Sequence, residues 1–222
     1  MTRIGTVVSA RTASTRLPAK ALRLLDGVPM IAFLLERLRR TRLGGRVIFA
    51  TTQRADDDEL AALVGGLGVP VFRGVDADVA GRYLGAAKEF GLEWIVRVTG
   101  DCPFVDAASL DYCLAQWSAN DVADLVSTKG VFPVGIDYEV FSTALLEREW
   151  PKMTVEECEH LTLRFYRQDL GFVVRRFKRP AEWPVVGRTF VVDTPADFEH
   201  ASAFVNKLGR DFGVRDLLVA GS

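Results

Sequence analysis

At 222 residues the chain has room for one large domain or two small ones, and with no Pro/Ser-rich linker to divide it a single domain over 1–222 is expected. Its 49% hydrophobic and 26% charged content is that of a globular protein able to bury a sizeable core. A formal net charge of -1 lacks the basic excess of a nucleic-acid binder, no apolar run reaches the roughly 20 residues that span a bilayer, and no basic-then-apolar leader precedes the first strand, so a cytoplasmic protein is expected, with neither nucleic acid nor membrane as partner.

An apolar run with Ile4, Val7 and Val8 predicts a buried first strand that empties into the loop Ser9-Ala10-Arg11-Thr12-Ala13-Ser14-Thr15-Arg16-Leu17-Pro18-Ala19-Lys20. Small hydroxyl-bearing residues with three cations offer backbone N–H groups, hydroxyls and fixed positive charge within one short reach, the chemistry of a polyphosphate grip. The Gly-x-x-x-x-Gly-Lys-Ser/Thr spacing of a P-loop is missing, so an ordinary ATPase is not indicated. A solvated loop with chance basic residues is the competing reading. Gly27 marks a turn, and Met30, Phe33, Leu34 and Leu38 recur at helical spacing after Pro29, a helix expected to run to Gly44-Gly45. A strand over 47–50 precedes Asp56-Asp57-Asp58-Glu59, acids that suit a helix's first turn and read as its cap. A strand over 69–72, a helix over 78–90 and a buried strand over 94–98 follow, the last ending in Thr99-Gly100-Asp101-Cys102-Pro103. Strands alternating with amphipathic helices predict an α/β fold, a mostly parallel sheet flanked by helices, with the loops after Val8 and Val98 facing one crevice.

Beyond a helix over 107–117 the pattern changes. A strand over 124–127 is followed by Ile136-Asp137-Tyr138-Glu139-Val140-Phe141, whose period of two predicts a half-exposed strand in a β-hairpin, 128–142, protruding outside the main sheet. Helices over 143–149 and 155–168, strands over 172–177 and 189–192, and a helix after Asp193-Thr194-Pro195 complete the expected chain. Cys102, Cys113 and Cys158 are odd in number and lack C-x-x-C spacing, so free thiols are expected.

Asp101 stands at a strand end between Gly100 and Pro103, and Asp193 occupies the matching place after a later strand. Opposite a basic loop, two such carboxylates could hold Mg²⁺ against bound phosphates; capping of the next helix is the competing role for Asp193. Asp137 and Glu139, two apart, would share a strand face, either contacting acceptor hydroxyls or a partner subunit, or simply facing water. Arg73 and Arg82 flank the crevice and could meet an acceptor's carboxylate, although surface arginines are commoner.

The segments Ala10-Arg11 with Ser14-Thr15-Arg16-Leu17-Pro18 and Lys20, Val71-Phe72-Arg73-Gly74, Thr99-Gly100-Asp101-Cys102-Pro103, Glu159-His160-Leu161-Thr162 and Val192-Asp193-Thr194-Pro195-Ala196-Asp197-Phe198 give the chain, over nearly its whole length, a resemblance to the cytidylyltransferases that activate acidic sugars. These are the acylneuraminate and 3-deoxy-manno-octulosonate enzymes and, nearest in pattern, the spore-coat polysaccharide biosynthesis branch. The resemblance implies a Rossmann-like nucleotidyltransferase fold and transfer of CMP from CTP to the hydroxyl of an acidic sugar, with release of pyrophosphate, for surface polysaccharide biosynthesis. It implies that Arg11 and Lys20 bind the triphosphate with Ala10, Ser14, Arg16, Thr99 and Gly100 around the nucleotide, that Asp101 and Asp193 hold Mg²⁺, that His160 contacts the acceptor, and that a homodimer forms through the 128–142 hairpin.

Two departures stand out. The octulosonate enzymes tend to carry Gln where this chain has Thr99, which bears on base preference, and Ala19 replaces a glycine common before the lysine, which bears on loop geometry. Other readings keep the fold and change the acceptor, for instance to a phosphonate, or make the chain a metal-dependent glycosyltransferase using an Asp-x-Asp triplet, for which Asp56-Asp57-Asp58 and Asp76-Ala77-Asp78 are the candidates.

Overall fold

Strand alternation sets the layers. In the computed structural model, which describes residues 3–221, strand β1 (Ile4–Ser9) sends Val7 into one apolar core and Val8 into a second on the opposite face. After the first loop, β2 (Leu24–Leu25) and β3 (Val28–Pro29) form a small detached antiparallel hairpin. Asp26 and Gly27 both have positive φ, as the tightest hairpin turns require. Helix α1 (Met30–Leu38) begins one residue after Pro29, which stands at the N-cap rather than in the first turn, and ends well before Gly44. The Asp111 carboxylate accepts the N–H groups of Arg42 and Leu43 at 3.0 and 2.9 Å, so those donors are drawn away from a continuing helix.

Strand β4 (Arg46–Thr52), helix α2 (Asp58–Gly66), β5 (Val71–Gly74), α3 (Val79–Glu89), β6 (Trp94–Thr99) and α4 (Ala107–Leu114) continue the β/α alternation. They are followed by β7 (Leu125–Ser127), β8 (Glu139–Ser142), α5 (Thr143–Glu149), α6 (Val155–Glu159), β9 (Val174–Arg176), α7 (Pro195–Leu208) and α8 (Val214–Ala220). The main sheet has the order β5-β4-β1-β6-β8-β7-β9, and only β8 runs against its neighbours. Apolar faces of α1, α7 and α8 pack on one side, those of α3 and α5 on the other. Strand order reverses between β4-β1 and β6, so a crevice opens at the C-terminal ends of β1 and β6.

Four further expectations are corrected, three in the C-terminal half and one at Asp57. The stretch 128–142 does not protrude: β8 is an interior strand of the main sheet, and Ile136, Tyr138 and Glu139 of the alternating run are buried. The acids made this run look half-wet, but Glu139 is fully buried because it is ion-paired. Residues 189–192 form no strand, since Phe190 N–H bonds Val134 O and Val192 N–H bonds Asp101 O, two different loops rather than one ladder. The helix expected over 155–168 stops at Glu159, where His160 leaves helical geometry, and short 3-10 turns take Leu161 and Phe165 into the core. Asp57 caps nothing with its side chain; its carboxylate accepts hydrogen bonds from Thr12 and Thr52 instead.

Candidate active site

The loop after β1 is shaped by its own backbone. Thr12 O accepts the N–H of Ser14 at 2.8 Å and of Ala19 at 3.1 Å, which closes the 12–19 segment, and Leu17 is buried beneath it. Asp57 fixes this loop to the end of β4, accepting from Thr12 N and Thr12 Oγ1, both at 2.7 Å, and from the Thr52 hydroxyl. Burial alone would raise the Asp57 carboxyl; the Thr12 and Thr52 hydroxyls and the Thr12 N–H outweigh it and hold it below its ordinary value. Ala19 takes φ 51°, ψ 31°, the left-handed conformation usually left to glycine, so its Cβ does not abolish the turn that delivers Lys20.

Lys20 reaches across the crevice. Its Nζ lies 3.1 Å from Asp101 Oδ2, 2.7 Å from Asp193 Oδ1 and 3.0 Å from Val192 O. Arg16 pairs with the other Asp193 oxygen at 3.0 Å. The two aspartates, far apart in sequence, are brought together by the Val192 N–H bond to Asp101 O at 2.8 Å. Burial lowers the Lys20 ammonium and raises the Asp101 carboxyl. Their mutual attraction, with Asp193 assisting the lysine, reverses both, so Lys20 sits above its ordinary value and Asp101 below. Gly100 lets the β6 loop approach β1: its N–H bonds Ser9 O at 2.9 Å, and a Cβ there would stand 2.5 Å from the Ala10 methyl. Thr99 turns its hydroxyl toward Cys102 Sγ, 3.0 Å away.

Arg11 is held between two acids, Asp76 at 2.9 Å and Glu159 at 2.7 Å. Together these groups enclose a cleft of about 500 Å³ bordered by Ala10, Arg11, Ser14, Arg16, Lys20, Thr99, Gly100, Asp101 and Asp193, with Arg82, Arg97, Glu159 and His160 completing its walls. Of the expected acceptor residues, Arg82 and the exposed His160 reach the cleft. Arg73 does not: its guanidinium is spent on Thr52 O, Arg54 O and Asp58 beside the β4 end. Asp137 lies outside any strand, accepting from Gly135 N–H, and burial raises its carboxyl. Glu139 faces no solvent and pairs with Arg97 at 2.7 Å and Lys129 at 3.0 Å. The Asp-x-Asp candidates are likewise committed, Asp57 to the loop, Asp76 to Arg11 and Asp78 to the N-terminus of α3.

Sequence reasoning missed Arg97, Asp57 and the grip of Glu159 on Arg11. A lone arginine inside a strand read as fully buried was a signal for Arg97; nothing local marked the other two.

Asp101 and Asp193 supply hard carboxylate oxygens on one side of the cleft, and no cluster of three or more His, Cys, Asp or Glu suited to a metal occurs among the described residues. That donor set fits a Mg²⁺ completed by phosphate oxygens and water rather than an all-protein cage.

A cationic loop beside paired aspartates at the strand ends of a mostly parallel sheet is the arrangement of a nucleotidyltransferase type of domain. The cytidylyltransferase family profile matches residues 6–210, and the chain belongs to that family. The chain is 29% identical over 211 residues to the spore coat polysaccharide biosynthesis protein SpsF of Bacillus subtilis, covering 91% of this chain and 86% of that one. It is 36% identical over 128 residues to the 3-deoxy-manno-octulosonate cytidylyltransferase of Geobacter sulfurreducens, covering 57% of this chain and half of that enzyme. The structure of a cytidylyltransferase from Leptospira borgpetersenii serovar Hardjo-bovis superposes with a TM-score of 0.91 at 28% identity, over 99% of this chain and 94% of that one. No described helix is long and apolar enough to cross a membrane.

Proposed function

We propose that the enzyme transfers CMP from CTP to a hydroxyl of an acidic sugar of the 2-keto-3-deoxy type, with Mg²⁺ as cofactor and pyrophosphate as the second product. The observation that carries this reading is Lys20 bridging Asp101 and Asp193 within reach of the Arg11 and Arg16 loop. The likeness to an octulosonate cytidylyltransferase and to SpsF supports an acidic sugar destined for a surface polysaccharide.

The acceptor oxygen attacks the α-phosphorus as the bond to the bridging oxygen breaks and negative charge grows on pyrophosphate. Lys20 and Arg16 are placed to neutralise that charge, and Arg11 to hold the outer phosphates; positioning and electrostatics then suffice without a covalent nucleophile. These cations are paired with Asp101, Asp193, Asp76 and Glu159, so a triphosphate would bind by exchanging carboxylate partners for phosphate oxygens. Asp101 and Asp193 would hold Mg²⁺, which supplies Lewis-acid charge neutralisation at the phosphates.

The test is pyrophosphate release with CTP, UTP, ATP and GTP against a panel of 2-keto-3-deoxy sugar acids and phosphonates, with and without EDTA. Release with CTP and a sugar acid, abolished by EDTA and restored by Mg²⁺, is expected. Absence of both CTP binding and pyrophosphate release would remove the reading, and a preference for UTP would redirect it to another base.

A further inference from the structure

We propose that Arg97, held by Glu139 and flanked by Arg82, is the seat for the acceptor's carboxylate, an inference that rests on the acidic-acceptor reading above. Arg97 borders the same cleft as Lys20 and Asp101 but belongs to the sheet itself, on β6 in direct register with Glu139 on β8. Its Nη1 donates to Glu139 Oε2 at 2.7 Å, while its buried Nε has no partner. Glu139 is fully buried and shared: it also accepts from Lys129 at 3.0 Å and from the Tyr166 hydroxyl at 2.7 Å, so one carboxylate serves two cations.

Arg82 adds a cation that lacks such a partner. It is 2% exposed, its Nη1 is spent on the carbonyls of Val75 and Asp76 at 2.7 and 2.6 Å, and among the described residues no carboxylate is in ion-pair contact with it. Burial and the nearby Arg11 lower its pKa by more than Glu159 and Asp76 raise it. Both arginines border the cleft together with Tyr83, whose ring centroid lies 5.9 Å from Arg97 Cζ. A buried cation without a counter-charge is unfavourable, and Arg82, beside the already paired Arg97, leaves an excess on this wall that an anionic ligand offsets. The triphosphate already has Arg11, Arg16 and Lys20. A carboxylate, planar and able to take a forked pair of hydrogen bonds, suits a guanidinium whose orientation is fixed from behind by Glu139. Glu139 is then a positioning residue.

The test compares wild type with Arg97→Lys, Glu139→Gln and Lys129→Met by NMR titration of CTP-saturated protein. The probes are 3-deoxy-D-manno-octulosonate, N-acetylneuraminate and the methyl ester of each; CTP affinity is measured separately by calorimetry. At least one free acid should bind wild type about tenfold or more tightly than its ester, the loss expected for a charge-assisted forked contact. Arg97→Lys and Glu139→Gln should lose that preference with CTP affinity within about twofold of wild type, and Lys129→Met, which leaves the Arg97 pair intact, should retain it. Should Arg97→Lys not fold, Glu139→Gln and the acid-to-ester ratio decide. Equal binding of acid and ester, no binding of either, equal losses for acid and CTP, or an unchanged preference in both variants would overturn the seat. Pyrophosphate release with CTP and a neutral sugar would overturn the seat alone, leaving CMP transfer standing, whereas no release with any acceptor sinks the transfer reading itself.

Discussion

Asp57 is the strut of the loop after β1, and its removal should loosen loop and fold together. The Asp57→Ala variant deletes an acceptor that holds Thr12 N–H and Thr12 hydroxyl at 2.7 Å and the buried Thr52 hydroxyl. Hydrogen bonds to a charged group contribute about 1.5–3 kcal/mol each, and because these three share one carboxylate their losses do not add fully, so about 4 kcal/mol is expected. For a chain of this size that corresponds to a fall in melting temperature of about 8–16 °C. Asp57→Asn keeps one acceptor oxygen for Thr12 and should fall by about a third as much. Thermal melts followed by circular dichroism give the stability, and calorimetry gives CTP affinity, which should drop in the alanine variant as Thr12 loses its anchor. The sign of the pH dependence follows from the depressed carboxyl: the contribution is complete above the unfolded value near 3.8 and is lost as pH falls through the lower folded value. Wild type should therefore lose this increment only in strongly acidic solution, and the variant's deficit should shrink there. An alanine variant that melts within about 3 °C of wild type and binds CTP normally would refute the strut.

Lys20→Met should leave Asp101 and Asp193 facing each other without the cation between them; turnover should fall about 10²–10³-fold, read by pyrophosphate release, and a loss under threefold would exclude Lys20 from charge neutralisation. Ala19→Gly should shift the melting temperature by less than about 3 °C, because relief of about 1 kcal/mol of left-handed cost is offset by glycine's greater unfolded entropy. Ala19→Val, stiff at its branched Cβ, should destabilise by more than about 1 kcal/mol and weaken CTP binding. Gly100→Ala should cost about 1–3 kcal/mol and lower CTP affinity, since the new methyl would meet Ala10 at 2.5 Å and Ser9 O at 3.1 Å and push the two strand-end loops apart.

The β/α half of the fold was legible because its signals are local. Val7 and Val8, the helical spacing from Met30 to Leu38 and the turn glycines each declare an element within a few residues. The antiparallel extension was misread for the opposite reason. Glu139 looks solvated beside Asp137 in the sequence, and only its pairing with Arg97 from another strand makes burial tolerable. Asp57 read as a helix cap because acids cluster there, whereas the bonds that use it come from Thr12, 45 residues earlier.

By itself, then, the sequence determined the strand–helix alternation from β1 to α4, the strand ends where a ligand would sit, and the cationic loop that faces them, since periodicity and turn chemistry act over short reaches of chain. The tertiary structure alone decided which charges meet. Asp101 and Asp193 are joined through the Val192 N–H bond, Arg11 is held by Asp76 and Glu159, and Arg97 is fixed by Glu139. Coulomb attraction and desolvation depend on separation and burial in space, and neither is encoded in the spacing of residues along the chain.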